Sequence, residues 1–502
     1  MFQIPTLEEL NLGAALPGII LAAWAVILLI LDLFVPRDRK HTTGWLAVVG
    51  IVVAFIANLA VFNSNSDAFS GMYRADSFTA LLNIAILISA GLGIVLSFDY
   101  VKRAGFERGE YYVLILFTTV GMMFMAGAND LIVVFVALEL LSIPLYVLSA
   151  FRSPELKSEE AGIKYFILGA FSSAFFVYGA ALIYGATGTT ILPEVFEAVG
   201  GILSAGEQAL TLLLLGAGLI LVGLGFKVAV VPFHMWTPDV YEGAPTPIVA
   251  FMSVGSKVAG FAALLRILIV GLPALIVVAG DTIASWQTAV QLLAAATLIL
   301  GNIVAVSQTN IKRLLAYSSI AHAGYIMMAV AAAGTAGIGD RAAQAAVIYL
   351  IAYLFTNIGA FAVALAIEKD DGTGTELRDF VGLSRSRPLL ALMMAVFMLS
   401  LTGIPLTSGF IGKWFVFQVT LEAGLVPLAI IGVLTSVVSA FYYVRVIVNM
   451  YLLDGEGDPA AGATPSVNWA LYVTFAGTLL LGIAPLLITA LSERVVLSAL
   501  IP

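Results

Sequence analysis

Four ionisable side chains stand inside stretches of sequence that are otherwise apolar: Glu139, Lys227, Lys257 and Lys413. A charge at the centre of a bilayer costs about 2.5–3.5 kcal/mol even on a lenient insertion scale, so such groups are by default proton or ion pathways. A carboxylate and three amines are proton-exchanging groups, and His322, in Ser318-Ser-Ile-Ala-His322-Ala-Gly-Tyr325, adds a side chain whose ordinary pKa near 6.5 suits a relay. Each also has a plainer reading. Glu139 and a lysine can simply tie two helices together, but a neutral pair would pack there at lower cost. A lone histidine in an apolar helix is as readily a structural donor. Pro144 follows Glu139 by five residues, frees a backbone carbonyl beside it and bends the helix. Lys227 and Lys257 are expected on neighbouring helices near mid-membrane, where burial favours loss of an ammonium's proton and a carboxylate opposes that loss. Lys413 follows a segment rich in helix breakers, where Thr407 and Ser408 can bond freed backbone groups.

Other polar residues read as structural. His234 sits among prolines and aromatics at a helix end, and Asp130 reads as a solvated or capping residue. Arg266, near the outer end of its span, can snorkel to the interface. Asp239 and Glu242 lie on a turn without an adjacent cation, which fits either proton collection, a docking surface or a capped turn.

The elements that carry these residues are membrane helices. The 502 residues are 61% hydrophobic and 11% charged, against about 25% charged in soluble proteins. Apolar runs near 20 residues match a hydrocarbon core of about 30 Å. The reading is an all-α polytopic membrane protein with about 14 transmembrane helices. Its spans fall near 16–35, 45–62, 78–98, 111–126, 131–148, 162–184, 210–236, 248–269, 286–306, 314–333, 342–367, 389–421, 425–450 and 469–491. The eighth borders a further apolar stretch, 267–280.

Two spans are too long. At 1.5 Å per residue, 389–421 would run about 50 Å and 210–236 about 40 Å. The first contains Gly403-Ile404-Pro405-Leu406-Thr407-Ser408-Gly409 and the second ends in Lys227-Val-Ala-Val-Val-Pro232-Phe-His234, so both are expected to be interrupted. They lie five spans apart. An odd offset turns one unit over, predicting two inverted five-helix repeats with interrupted helices 7 and 12, the arrangement that brackets binding and ion sites in transporters. The expected division is an N-terminal three-helix segment (1–110), a first repeat (111–270), a second repeat (271–452), and a C-terminal loop and helix (453–502). With the N-terminus outside, sixteen of the 23 Lys and Arg residues fall in inner connections and four outside, which predicts both termini outside.

Several chemistries are excluded. The chain has no cysteine, hence no disulfide, thiolate catalysis or cysteine-ligated cluster. There is no dinucleotide-binding glycine motif, Walker motif or His-Glu-x-x-His zinc motif, so no cofactor is expected on this chain. Without a basic patch interleaved with aromatics, nucleic acid is not an expected partner. The acidic N-terminus does not resemble a cleavable signal.

The run Gly225-Phe-Lys227-Val-Ala-Val-Val-Pro-Phe-His-Met-Trp-Thr-Pro-Asp239-Val-Tyr-Glu-Gly-Ala-Pro245-Thr-Pro resembles a signature of the antiporter-like subunits of respiratory complex I, the proton-pumping NADH:quinone oxidoreductase. So do Ser253-Val-Gly-Ser-Lys257, Ile311-Lys-Arg-Leu-Leu-Ala-Tyr-Ser-Ser-Ile-Ala-His322 and Gly409-Phe-Ile-Gly-Lys413. The resemblance covers essentially the whole chain. It implies fourteen helices, Glu139 and Lys227 as a charge pair, Lys257 as central relay, Lys413 as distal site, and His322 as the family's histidine on the tenth helix. Lys413 departs from sister subunit M, which carries a glutamate there. The end of the chain soon after the fourteenth span departs from sister subunit L, which has a long lateral helix. The acidic connection 454–465 is longer than the family pattern implies. The resemblance further implies a bacterial inner membrane, neighbouring antiporter-like and small membrane subunits as partners, and NADH, FMN, iron–sulfur clusters and quinone held by other subunits. Quinone reduction there would alter the Glu139–Lys227 pairing and send a proton through Lys257 toward Lys413. Two other classes fit the same residues: a subunit of a multi-subunit sodium/proton antiporter, and a non-transporting membrane scaffold.

Overall fold

In the computed structural model, which describes residues 6, 10–205, 207–272, 275–278, 281–284, 286–455 and 463–497, the chain is a helical bundle. Its principal helices in order are α1 (Leu16–Asp32), α2 (His41–Ala60), α3 (Ser77–Arg103), α4 (Gly109–Gly127), α5 (Leu131–Ser149), α6 (Leu156–Thr187), α7 (Glu207–Val228) and α8 (Thr246–Arg266). Then come α9 (Gln287–Val306), α10 (Ile311–Ala332), α11 (Gly339–Ile367), α12 (Pro388–Thr402), α13 (Ser408–Glu422), α14 (Val426–Tyr451) and α15 (Pro465–Ile483). Among the described residues, twelve helices are long and apolar enough to cross a membrane. The 17-residue α1 and the composite α12–α13 complete the fourteen expected crossings. Among the described residues the only strands are two short hairpins, Ser66–Ala68 with Tyr73–Ala75 and Leu275–Val278 with Asp281–Ala284.

Helix packing repeats with an offset of five. In the first half α4 packs on α5 and α8, α5 on α6, α6 on α7, and α7 on α8. In the second half α9 packs on α10 and α14, α10 on α11, α11 on α12–α13, and α12–α13 on α14. Helices α8, α10 and α11 are buried along almost their whole membrane length, and α9, α14 and α15 lie at the periphery. The core therefore sits where the two halves meet, along the contact of α8 with α11.

Both expected interruptions are present. Helix α7 stops at Val228, directly after Lys227, because Ala229 turns left-handed at φ +62°. The Phe226 carbonyl freed there accepts the Trp236 indole at 3.0 Å, and Val231 N–H donates to Thr297 at 3.0 Å. The chain resumes in a short helix, Trp236–Gly243. Helix α12 stops at Thr402, with Gly403 at φ +95° and Leu406 at φ +72°, before α13 begins at Ser408. The eighth span extends past Arg266 through a wide turn, Ile267–Gly271, and the apolar stretch beyond it becomes the second hairpin. Pro144 lies within an uninterrupted α5. In the acidic connection Asp454 meets Arg385 at 2.7 Å, and 456–462 lie outside the described residues.

Candidate proton pathway

The three lysines and the histidine are buried: Lys227 and Lys257 are 2% exposed, His322 4% and Lys413 6%. Two of the lysines sit at helix breaks. Lys227 is in the last turn of α7. Lys413, in α13, reaches across the break to donate to the Thr402 carbonyl at the end of α12 at 2.7 Å and to Ser436 at 2.8 Å. The C-terminal end of a helix carries unpaired carbonyls and a partial negative charge, which is where an ammonium is stabilised. Gly403 leaves the room: a Cβ there would stand 2.9 Å from Lys413 Cδ.

Around Lys257 the polar groups cluster. Its Nζ donates to the Ser319 carbonyl, and the Ser319 hydroxyl accepts Tyr353 OH at 2.9 Å. The Tyr353 ring lies 5.9 Å from Lys257 Nζ and 5.0 Å from the His322 ring. His322 contacts Tyr349 OH at 2.6 Å through Nδ1 and Tyr443 OH at 3.1 Å through Nε2. On its other side the Tyr325 ring is 6.0 Å away, and Lys413 Nζ stands 4.7 Å over that same ring. A small cavity with room for roughly one water lies beside His322, between Tyr353 and the α12–α13 break. Thr356 and Ser400 line it, and Thr356 lies 2.9 Å from Ser400 and 3.0 Å from Ser408.

The first half is joined more loosely. Lys227 donates to Ser142 at 2.9 Å and to Tyr165 OH at 3.4 Å. Glu139 does not touch it. Glu139 is half-buried, its Oε1 has no hydrogen-bond partner, and Lys227 binds instead Ser142, one helical turn further along α5. The expected Glu139–Lys227 pair is therefore separated rather than closed. Lys227 meets α8 at Gly260, where a Cβ would lie 3.5 Å from Lys227 Cγ, three residues beyond Lys257. The five residues thus fall in two groups, Glu139 with Lys227 and Lys257 with His322 and Lys413, that approach each other at Gly260.

Other expectations need correction. Asp239 and Glu242 are not uncompensated. Asp239 accepts Lys164 at 2.6 Å and Arg313 at 2.8 Å, and Glu242 accepts Lys157 at 2.8 Å and Arg313 at 2.9 Å. Partial burial would raise both carboxyls, but these hydrogen bonds and charges outweigh it and hold both below their usual range. Cations on α6 and α10, at least one whole span away in sequence, supply the compensation, which the local motif does not show. Arg266 does not snorkel. It is fully buried and holds Asp76 at 2.9 and 3.1 Å and Thr79 at 2.9 Å. Asp130 caps α5 through Ile132 and Val133 N–H, but it is buried, with Thr190 on its other oxygen at 2.5 Å. His234 lies in the α7 break, half-buried, with an unpartnered Nδ1. The reading of motifs missed Tyr349, Tyr353, Thr356 and Ser400. The first three recur at i, i+4 and i+7, one face of α11, a polar stripe that was available in the sequence.

Fourteen crossings, two broken helices five spans apart and buried lysines at the breaks define the antiporter-like class of membrane transport proteins. The family described as "NADH:quinone oxidoreductase/Mrp antiporter, TM" matches residues 128–439. The NADH-quinone oxidoreductase subunit N of Chloroflexus aggregans is 45% identical over 496 residues, covering 97% of this chain and 98% of that protein. The chain belongs to this family, among the relatives of subunit N. A chain of respiratory complex I from Thermus thermophilus has the same fold, with TM-score 0.78, 36% identity, and coverage of 94% of this chain and 98% of that one. A chain of the Mrp complex from Dietzia sp. DQ12-45-1b, at 21% identity and TM-score 0.80 over 97% of both chains, shares the fold alone.

Proposed function

We propose that this chain is a proton-translocating membrane-arm subunit of an NADH:quinone oxidoreductase. The observation that carries this reading is the buried polar line from Lys257 through Tyr353 and His322 to Lys413 at a helix break. Partner subunits, including a neighbouring antiporter-like subunit and small membrane subunits, surround it, and they hold NADH, FMN, the iron–sulfur clusters and quinone. This chain supplies no redox centre. Its fold divides as 1–110, 111–270, 271–452 and 453–502, the middle two being inverted repeats, which the recurring helix contacts support. The excess of Lys and Arg on one side supports both termini lying outside a bacterial inner membrane.

Redox work in partner subunits moves charge near Glu139. A carboxylate that approaches an amine favours the ammonium, and its withdrawal releases the proton. Lys227 then passes a proton toward Lys257, and His322 carries it to Lys413, where the α12 carbonyls receive the charge. Moving that charge across the membrane works against about 2.3 kcal/mol per 100 mV.

The test is Glu139→Gln in the assembled complex, reconstituted in vesicles. Proton pumping and coupled quinone reduction are expected to fall together, and Glu139→Asp, which keeps the charge, to do less harm. Normal pumping by an intact Gln complex removes Glu139 from the relay. The hydroxyls of Thr356, Ser400 and Ser408 beside the break favour a second reading, sodium/proton exchange. Proton flux that requires sodium would support it.

A further inference from the structure

One end of the bundle holds a buried carboxylate that this relay does not use. Glu368 caps α11 and is 2% exposed. Its Oε1 accepts Tyr100 OH, from α3, at 3.1 Å, and its Oε2 accepts the hydroxyl of Thr246, the first residue of α8. Arg152 Nη1 lies 3.6 Å from Oε1, while the same guanidinium binds Glu155 at 2.7 Å and the Asp370 carbonyl at 2.8 Å. Lys312, in the first turn of α10, donates to the Ala244 carbonyl at 2.9 Å and lies within electrostatic reach of Glu368. Arg103 pairs with Asp370 at 3.0 Å. The ends of α3, α8, α10 and α11 gathered here are those assigned to the inner side, and Arg152 beside the carboxylate is itself partly exposed.

Between Glu368 and Lys257, along the contact of α8 with α11, polar groups stand at Thr246 and again at Ser253 and Asn357. Thr246 lies eleven residues before Lys257, and Asn357 eleven before Glu368, each about 16 Å of helix. Nearer Lys257, Asn357 Nδ2 donates to Ser253 Oγ at 2.7 Å, both fully buried. Ser253 is one turn from Lys257, and Asn357 one turn from Tyr353, which binds the Ser319 that holds Lys257. The Asn357 Oδ1 is buried without any partner. Leaving such an acceptor unpaired costs about 1–3 kcal/mol, and a helix contact that served only packing would gain nothing from it. A buried polar atom of this kind is where an ordered water belongs.

We propose that Glu368 is the proton-loading group on the inner side for Lys257, an inference that rests on the relay reading above. The Glu368 carboxylate takes a proton from inner water and becomes a carboxylic acid. Its O–H proton then passes along water held at Asn357 and Ser253 to the free amine of Lys257. The amine becomes an ammonium, the carboxylate is restored, and no electron moves. The proposal requires water to cross the apolar interval from Thr246 to Ser253, about 10 Å of helix.

The experiment uses the intact complex in vesicles with the inner face outward, following NADH oxidation and proton uptake across a pH range. In Glu368→Gln, uptake is expected to fall about a hundredfold at mildly alkaline pH, the scale of losing a positioned proton-transfer group. It recovers as the pH is lowered, because bulk protons then load Lys257 directly, and Glu368→Asp retains most of the rate. Infrared difference spectra should show a protonated-carboxyl carbonyl band that vanishes in the Gln variant. An assembled Gln complex with normal uptake at every pH overturns the proposal. So does a loss that is flat in pH and equal in the Asp and Gln variants, because a structural clamp behaves that way. If Glu368→Gln fails to assemble, Asn357→Leu decides: the proposal requires slowed uptake with Glu368 intact, and normal uptake sinks it. Lys257→Met separates the two readings. Normal pumping in that variant removes the relay itself, whereas loss of pumping there with none in Glu368→Gln removes only the loading site.

Discussion

Gly403 meets two demands at one position. Its φ of +95° lies where a Cβ is strained, and a Cβ would also crowd Lys413, 2.9 Å from Cδ and 3.5 Å from Nζ. Gly403→Ala is therefore expected to destabilise the complex by about 1–2 kcal/mol, the cost of forcing an L-residue left-handed, and also to displace the ammonium from the Thr402 carbonyl. Gly424→Ala is the control. That glycine is at φ +74° with nothing within 4 Å, so it carries similar backbone strain without a lysine. Thermal melts should show both variants destabilised, and pumping per assembled complex should fall only in Gly403→Ala. Equal pumping in the two would mean that the position of Lys413 does not matter. Lys413 and its break were legible from the order of residues. The glycine's second role was not, because it depends on a side chain ten residues away folding back across the break.

At the scale of elements, a break inside a membrane needs partners for the backbone groups it frees. Thr407 bonds Ile404 O at 2.7 Å, as a reading of the local motif anticipates. Ser408 instead donates to the Ala352 carbonyl of α11 at 3.1 Å, and the freed Gly409 N–H goes to Ser400 at 3.0 Å. Ser400→Ala removes that acceptor. The Gly409 amide is expected to exchange hydrogen roughly fivefold faster, corresponding to about 1 kcal/mol for one such bond. Hydrogen-exchange mass spectrometry of the peptide containing Gly409 measures it, and unchanged protection would show that the break is held by packing alone. Span length against membrane thickness revealed that helices 7 and 12 must break. The breakers placed the second interruption at Gly403–Gly409, where it is found, but α7 stops at Val228, four residues before Pro232, because Ala229 turns left-handed there.

Across the whole molecule, Asp239 and Glu242 hold the short helix after the α7 break to α6 through Lys157 and Lys164 and to α10 through Arg313. This clamp joins the two halves on one face. Because both carboxyls are held below their usual values, their stabilising effect is fully present above about pH 4, the unfolded carboxylate range, and is lost as the pH falls through the lowered values. Asp239→Asn with Glu242→Gln should flatten the acid side of the stability profile in thermal melts from neutral to acid pH, and an unchanged profile would place the acid sensitivity elsewhere. Orientation is open to a direct check, since the chain has no cysteine. A cysteine introduced at Arg39 should react with an impermeant reagent only from the inner side and one at Arg74 only from the outer side. The reverse result would invert the assigned topology.

The sequence by itself determined the class of protein, the fourteen crossings, the two interrupted helices and the buried lysines. These follow from local quantities: run length against bilayer thickness, breakers in a span, and the cost of a charge in an apolar stretch. It also carried the stripe Tyr349, Tyr353 and Thr356 along α11, which a period of 3.6 would have disclosed. Only the tertiary structure decided who meets whom. Lys227 binds Ser142 and not Glu139, Lys157, Lys164 and Arg313 together pair with Asp239 and Glu242, Arg266 turns inward to Asp76, and Glu368 gathers groups from α3, α8 and the connection before α6. Those partners are tens to hundreds of residues apart, and their pairing depends on which helix faces which, a property of the packed bundle that no single stretch of chain contains.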